Sequence, residues 1–377
     1  MSRFLIACGG TGGHLAPGIA LAEALRARGH ATTLFISRKQ IDARLCGKYP
    51  ELTAVSVPSA PYGWRPDTLA RFVWHQARGL LFSLKYLREH KPDVIVGFGG
   101  FTNTAVVVAG RLRHVPVALH EANRVPGRAV RILSRISKRL YLPPGVRLPG
   151  RPGLLVRHTG LPVRAEVTRL PRQEARAQLG VDPLQKLVVV VGGSQGAGPL
   201  NKWVEDNLQS LAHEGVQVWC VTGPGKGDAR VREFHARNGA VVRAWSEPFT
   251  ERVGPLFSAA DLVVSRAGAG TLAELVRCET PAVLVPYPFA ADNHQQANAR
   301  HFEQQGGGLV IDETGLSRLK QEVLDVLFND WLSGKFRDNL RRMAQENTTE
   351  TIVADLEALA RGETPPRHLR HHPAAAL

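Results

Sequence analysis

The sequence predicts an α/β protein made of two doubly wound domains with parallel sheets. Three observations carry this. Short apolar runs alternate with helix-like segments along nearly the whole chain, the signature of parallel strands joined by right-handed helical crossovers. Two of the runs, Phe4–Cys8 and Leu187–Val191, enter glycine-rich turns, Gly9-Gly10-Thr11-Gly12-Gly13-His14 and Gly192-Gly193-Ser194-Gln195-Gly196-Ala197-Gly198. And at 377 residues the chain is too long for one ordinary core.

In the first half, strands are expected at 3–8, 32–36, 93–97, 116–119 and 139–142, with helices at 17–28, 40–46, 67–90, 102–113 and 127–137. The second half repeats the theme. Strands are expected at 187–191, 216–221, 240–243, 261–264 and 282–285, and helices at 199–213, 228–237, 250–259, 270–278 and 293–304. Helices at 316–328 and 335–360 close the chain. The Pro- and Gly-rich segment 143–163 marks the joint. The expected domains are 1–162 and 163–345, followed by a closing helix, 346–363, that returns toward the first domain. The tail 364–377, rich in Pro, His and Ala, is expected to lack order.

Charge is distributed unequally. Residues 1–160 hold 24 Lys and Arg against 7 Asp and Glu, whereas the remainder holds 24 against 26. The first half therefore carries all of the net +15. Nucleic acid, an anionic membrane surface and a polyanionic substrate would each suit that imbalance. No recognised nucleic-acid module is present, so no nucleic-acid partner is expected. No run approaches a membrane span, and the N-terminus reads as a core strand rather than a signal peptide. Cys8, Cys46, Cys220 and Cys278 lie far apart without a CxxC pair, which suits a reducing cytoplasm and neither a disulfide framework nor a zinc site.

A glycine turn between strand and helix exposes backbone N–H groups at the positive end of a helix dipole, a natural phosphate site. Gly9–His14 does not complete GxGxxG, because Leu15 takes the third position, and the second strand ends Ile36-Ser37-Arg38-Lys39 without the acidic residue of a dinucleotide fold. Four glycines around Thr11 nevertheless favour close approach of a ligand. His14 stands where a helix begins, which favours the neutral ring and makes it a candidate proton acceptor. Gly97-Phe98-Gly99-Gly100-Phe101 is a third such turn. His120-Glu121-Ala122-Asn123 ends the next strand, so Glu121 and Asn123 are candidates for sugar binding or acid–base work.

Arg124, Arg128, Arg131, Arg135, Lys138 and Arg139 recur at near-helical spacing, with Val130, Leu133 and Ile136 turned elsewhere. Residues 64–87 mix Trp64, Leu69, Phe72, Trp74, Leu80 and Phe82 with Arg65, Arg71, Arg78 and Lys85, and Arg88 follows. Aromatic plus basic is the pattern of an interfacial membrane contact. In the second half, Arg266-Ala267-Gly268-Ala269-Gly270-Thr271-Leu272-Ala273-Glu274 leads from a strand into a helix. Its amides and Thr271 suit a diphosphate, and Glu274 suits ribose hydroxyls. Asp292-Asn293-His294-Gln295-Gln296 is an amide-rich loop suited to sugar hydroxyls. No Asp-x-Asp occurs, so no metal is called for, and amides with a helix dipole are expected to take the charge of a leaving diphosphate.

Together these motifs, in this order and spacing, resemble the MurG family of UDP-N-acetylglucosamine transferases over roughly residues 3–360. The resemblance implies a GT-B fold, two Rossmann-like domains facing a central cleft, with acceptor binding in the first and UDP-sugar binding in the second. It implies inverting transfer of GlcNAc from UDP-GlcNAc to the 4-hydroxyl of MurNAc in the undecaprenyl-diphosphate lipid I, giving lipid II, without a cofactor. It implies donor contacts at Thr11, Gly12, Gly13, Asn123, Arg164, Ser194, Thr250, Ala269, Gly270, Thr271, Leu272, Ala273, Glu274 and Gln295. His14 is the implied general base, with Glu121 its rival. The basic first half would then dock on the anionic cytoplasmic face of the plasma membrane, near other cell-wall synthesis proteins.

Three positions depart from the family pattern. Thr250 replaces an aliphatic residue after Phe249, Ala267 follows Arg266 where Ser is common, and Ala122 replaces Gln. Rival readings are another GT-B transferase with a lipid acceptor, an NADP-dependent oxidoreductase, and a membrane-docked scaffold without turnover.

Overall fold

The computed structural model describes residues 1–10, 12–38, 45–60, 65–149, 153–344 and 348–363. Thr11, the bulk of the expected helix at 40–46, Trp64 and the tail 364–377 lie outside the described residues. The chain divides into two units, Met1–Arg164 with Asn347–Leu377, and Ala165–Glu346.

The first unit is one sheet of seven parallel strands in the order β3-β2-β1-β4-β5-β6-β7. They are β1 (Arg3–Ala7), β2 (Ala31–Ile36), β3 (Thr53–Ser56), β4 (Val94–Gly97), β5 (Val117–His120), β6 (Arg139–Leu142) and β7 (Leu155–His158). The central strands are buried end to end, which is why they read as unbroken apolar runs: a parallel sheet is covered on both faces. The winding reverses between β1 and β4, where Ala7 pairs with Gly97, and Gly97 in turn pairs with Leu119 of β5. The strand ends that carry the glycine turns and the His120–Asn123 loop are therefore neighbours, at the place where open α/β sheets take ligands.

Helix α1 (Gly12–Ala27) follows β1, α2 (Pro66–His90) precedes β4, and α3 (Phe101–Leu112) follows it. Helix α4 (Arg128–Leu133) continues as a single 3-10 turn through Ile136, shorter than the helix expected over 127–137.

The second unit is a seven-stranded sheet in the order β10-β11-β9-β8-β12-β13-β14. Its strands are β8 (Lys186–Val191), β9 (Val216–Val221), β10 (Arg230–His235), β11 (Val241–Glu247), β12 (Leu262–Ser265), β13 (Ala282–Leu284) and β14 (Gly308–Val310). The helices are α5 (Arg172–Leu179), α6 (Gly198–His213), α7 (Val253–Ala259), α8 (Ala269–Cys278), α9 (His294–Gln304), α10 (Leu316–Phe328) and α11 (Asp330–Met343). Winding reverses between β8 and β12, where Val191 pairs with Ser265, so the Gly192–Gly198 turn and the Arg266 loop emerge side by side.

Several expectations are corrected. Residues 228–237 are not a helix: Arg230–His235 is an edge strand, antiparallel to β11. Asn238-Gly239, with Gly239 at φ +81°, is the hairpin signal that identifies it. The segment 335–360 is two helices, α11 and α12 (Thr348–Ala360). The second belongs to the first unit, where Ile352, Val353 and Leu356 join Phe4, Leu15 and Ile19 in one core. Strands β3, β7 and β14 and helix α5 were not expected.

Candidate active site

In the first unit the glycine turn after β1 owes its shape to close packing. A Cβ on Gly9 would lie 2.2 Å from the Ser37 backbone nitrogen, so only glycine fits beside the end of β2. The turn is tied from the other side by Thr102, whose hydroxyl donates to the Gly9 carbonyl at 3.0 Å. Gly12 and Gly13 open α1, and their early position leaves helix N–H groups facing the turn.

His14, half-buried, lies against the second glycine turn. A Cβ on Gly99 would stand 3.6 Å from its Nε2, and one on Gly100 would stand 3.2 Å from Cε1 and Nδ1. Both glycines have positive φ, +88° and +78°. The turn thus makes a bare backbone bed for an imidazole. Asn103, wholly buried, supports that bed: its amide is oriented to donate to the Ala7 carbonyl (3.2 Å) and to accept from the Gly99 N–H (2.8 Å). Sequence reasoning missed Asn103, because a polar residue in the first turn of an apolar helix is legible only once its partners are known.

Glu121 is 5 % exposed at the end of β5. Its Oε1 accepts from the Asn123 N–H (2.9 Å) and the Asn123 side-chain amide (3.1 Å), and its Oε2 accepts from the Gly127 N–H (2.8 Å) at the start of α4. Both oxygens are occupied by the loop that follows, which makes Glu121 the brace of Asn123 and α4. His120 beside it is not a base in waiting. It is 1 % exposed, stacks on Phe98 at 5.3 Å, and places Nε2 3.0 Å from the Gly160 carbonyl. Burial drives its pKa down to about 4, against a smaller upward pull from Gly160, so the ring is neutral at pH 7.

Arg164 is buried, and its guanidinium lies 3.5 Å from the Tyr49 hydroxyl. Of the cationic stripe, Arg128, Arg131, Arg135 and Lys138 are exposed and share their surface with Ile132. Arg139 is a correction: it is buried, 3.3 Å from Asp355, and belongs to the core. Phe72, Leu80 and Phe82 of α2 are also half-buried rather than exposed. The outward face carries Arg71, Trp74, Arg78, Leu81, Lys85 and Arg88 instead, spaced three and four apart as one helix face requires.

In the second unit the expected donor residues follow the C-terminal ends of β8, β11, β12 and β13, in the loops and the helices after them. Ser194 is exposed in the turn after β8, whose Gly196 packs so closely that a Cβ would fall 2.0 Å from the Thr222 carbonyl. Ala269, Gly270, Thr271, Leu272, Ala273 and Glu274 form the half-buried first turns of α8. The first intrahelical bond there runs from the Leu272 N–H to Gly268 O at 3.0 Å, so the preceding amides are available to an anion. Asn298, 3 % exposed, donates to the Ala267 carbonyl at 3.2 Å and steadies the loop.

Arg266 is structural. It is buried, donates to the carbonyls of Val285 (3.1 Å) and Pro286 (3.2 Å), and pairs with Glu313. Gln295 accepts from the Tyr287 N–H at 3.0 Å, and α9 is entered through Asp292 and Asn293, both in the left-handed region. Thr250 accepts from the Arg252 N–H at 3.2 Å, closing its own turn.

Residues 4–142 match the glycosyltransferase family 28 N-terminal domain and residues 187–351 match the family's C-terminal domain. The chain is 56 % identical over 361 residues to a UDP-N-acetylglucosamine–N-acetylmuramyl-(pentapeptide) pyrophosphoryl-undecaprenol N-acetylglucosamine transferase of Opitutus terrae, covering 96 % of each chain. It is 35 % identical to the enzyme of that name from Desulforudis audaxviator, over 95 % of this chain and 98 % of the other. Among solved structures it is similar to MurG of Acinetobacter baumannii, with a TM-score of 0.71 and 26 % identity over 94 % of this chain and 99 % of that one.

Proposed function

Because this chain belongs to glycosyltransferase family 28, and within it to the MurG transferases, we infer that His14 is the general base of its reaction and Glu121 the residue that positions Asn123. The activity of the family is transfer of GlcNAc from UDP-GlcNAc to the 4-hydroxyl of MurNAc in lipid I, with inversion, and this chain is a transferase of that kind.

The observation that carries the assignment of roles is the occupancy of Glu121. A base needs reach to the acceptor proton, whereas Glu121 is 5 % exposed and three of its roughly four acceptor sites hold N–H groups of its own loop, which suits a brace better than a base. The His14 imidazole rests on Gly99 and Gly100 with no Cβ between. In the reaction it takes the proton of the 4-hydroxyl as that oxygen attacks C1 of GlcNAc from the face opposite the diphosphate. The C1–O bond breaks, and the leaving UDP gathers negative charge on its β-phosphate. The first-turn amides of α8, Thr271 and Ser194 receive that charge, and Glu274 and Gln295 hold donor hydroxyls. Thr11, Gly12, Gly13, Asn123, Arg164, Thr250, Ala269, Gly270, Leu272 and Ala273 complete the proposed donor contacts.

The acceptor is a lipid. No helix among the described residues is long and apolar enough to cross a membrane. The exposed face of α2, with Trp74 at 62 % and Leu81 at 68 % exposure, and the Arg128–Lys138 stripe are proposed to rest on the anionic cytoplasmic leaflet.

The test is a transfer assay with radiolabelled UDP-GlcNAc and a short-chain lipid I analogue in EDTA, with UDP-glucose and UDP-galactose in parallel. Labelled disaccharide-lipid from UDP-GlcNAc alone supports the donor, the acceptor and independence from added metal. Product from UDP-glucose at a comparable rate would overturn the donor assignment.

A further inference from the structure

The second unit holds a cavity of about 240 Å³ at the edge of its core, walled by α6, β9, the Thr222–Asp228 loop and the β10–β11 hairpin. None of the donor residues named above lines it. Its floor is apolar: Val204, Leu208, Val218 and Ala244 are all buried. Its rim is charged, with four cations (Lys202, Lys226, Arg230, Arg232) against two carboxylates (Glu205, Asp228). Glu205 alone serves two guanidiniums, at 2.5 Å from Arg230 and 2.9 Å from Arg232. Lys202 is itself paired with Asp206 at 3.0 Å, so one positive charge is left in excess at the mouth, above an apolar floor that gives water few partners in a space of about eight water volumes.

We propose that this cavity binds a small amphipathic anion, an apolar body with one phosphate- or carboxylate-type head, and that its occupancy weakens donor binding. The head would meet Arg230, Arg232 and Lys226 at the rim, and the body would cover the floor.

The coupling follows from one wall, and it rests on the reading that the Gly192–Gly198 turn holds the donor. The Lys226 ammonium donates to the Gly196 carbonyl at 3.0 Å, and Asn201 donates to the Thr222 carbonyl at 2.9 Å. Gly196 and Gly223 pack backbone to backbone, leaving no room for a Cβ on either. An anion that draws Lys226 into the rim removes a bond from the turn that carries Ser194.

Trp245 lines the cavity and stacks on Trp219 at 5.1 Å, which supplies a reporter. Phenyl phosphate is titrated into the full chain while tryptophan fluorescence is followed, with inorganic phosphate and benzyl alcohol as the two halves of the ligand. Saturable change is expected for phenyl phosphate, at least tenfold tighter than for either half. Arg230→Gln with Arg232→Gln should weaken it tenfold or more. Ala244→Val, which fills the floor and leaves every charge in place, should weaken it at least threefold. Calorimetric UDP affinity should fall threefold or more in saturating phenyl phosphate, and not in the double variant. No saturable signal, or equal binding by the variants, overturns the site. Saturation that leaves UDP affinity unchanged overturns its effector role. Failure of UDP to bind at all would sink the donor reading, while the fluorescence titration still decides the cavity.

Discussion

A Cβ added to Gly100 would stand 3.2 Å from both Nδ1 and Cε1 of His14, so the backbone of one turn sets where the imidazole of the other can lie. Gly100 also has φ +78° and ψ 174°, a conformation open almost only to glycine. Gly100→Ala should therefore cost about 1–3 kcal/mol of stability and displace the ring. We expect kcat to fall at least tenfold with UDP affinity within threefold of wild type. His14→Ala should show the same split, because a base commonly contributes about 10²–10⁴-fold. Near-normal kcat in His14→Ala would remove it as the base.

Glu121→Gln separates brace from base. The amide keeps one acceptor oxygen but turns an NH2 toward N–H donors, so the loop through Gly127 loses part of its support. The expected result is a lower melting temperature and a several-fold higher KM for UDP-GlcNAc, with the acidic limb of the kcat–pH profile unmoved. Loss of that limb in Glu121→Gln would assign the base to Glu121 instead.

Vesicle binding should divide into two parts. Each cation near an anionic leaflet contributes about 1 kcal/mol. Replacing Arg128, Arg131 and Arg135 by Glu should thus weaken binding to phosphatidylglycerol vesicles by about 100-fold or more at low salt, with the difference shrinking as salt rises. Trp74→Ser with Leu81→Ser should weaken binding at every salt concentration, because apolar burial is not screened. If neither set of changes alters vesicle sedimentation, the two faces are simply solvated.

Much of this was legible in the sequence, and what was not has physical reasons. Strands β1, β4, β5, β8 and β12 lie inside covered parallel sheets, so apolar runs ending in glycine or a polar loop reveal both the strand and its ligand-facing end. Strand β10 escaped because its residues are mostly exposed and carry Arg230, Arg232 and Glu233, a composition equally suited to a solvated helix. The site loops were found for the same reason that the strands were. The task of Glu121 was not, since it depends on three N–H groups whose directions only the folded loop sets. Arg139 looked like one more member of a helical stripe, yet it begins a strand and turns inward to Asp355.

His120 predicts an acid limit to stability. Its pKa is about 4 in the folded chain, against 6.5 for an ordinary imidazole. Below pH 6.5 the unfolded chain takes up a proton that the folded chain refuses, so stability declines as pH falls from 6.5 toward 4. The decline should total about 3 kcal/mol from this group. His120→Gln, which can still donate to Gly160, should flatten that part of the curve in urea titrations between pH 7.5 and 4.5. An unchanged slope in the variant would mean that other groups set it.

Asp355 fastens α12 to the sheet of the first unit. It is 1 % exposed and accepts from the Tyr141 hydroxyl at 2.9 Å, while Arg139 and Arg157 each lie 3.3 Å away. Burial and the carboxylate, in that order, hold the Tyr141 phenol well above its usual pKa, so it remains a donor. One carboxylate thus stands against two buried guanidiniums, and Nε and Nη1 of Arg157 have no hydrogen-bond partner among the described residues. The cluster is asymmetric: its anion is indispensable and one of its cations is in excess. Asp355→Ala would leave two uncompensated buried charges and should cost about 3–5 kcal/mol. Arg157→Met removes the less satisfied cation, fills similar volume and should cost far less. Urea midpoints of the two variants decide the matter, and equal losses would show that both arginines are needed to balance Asp355.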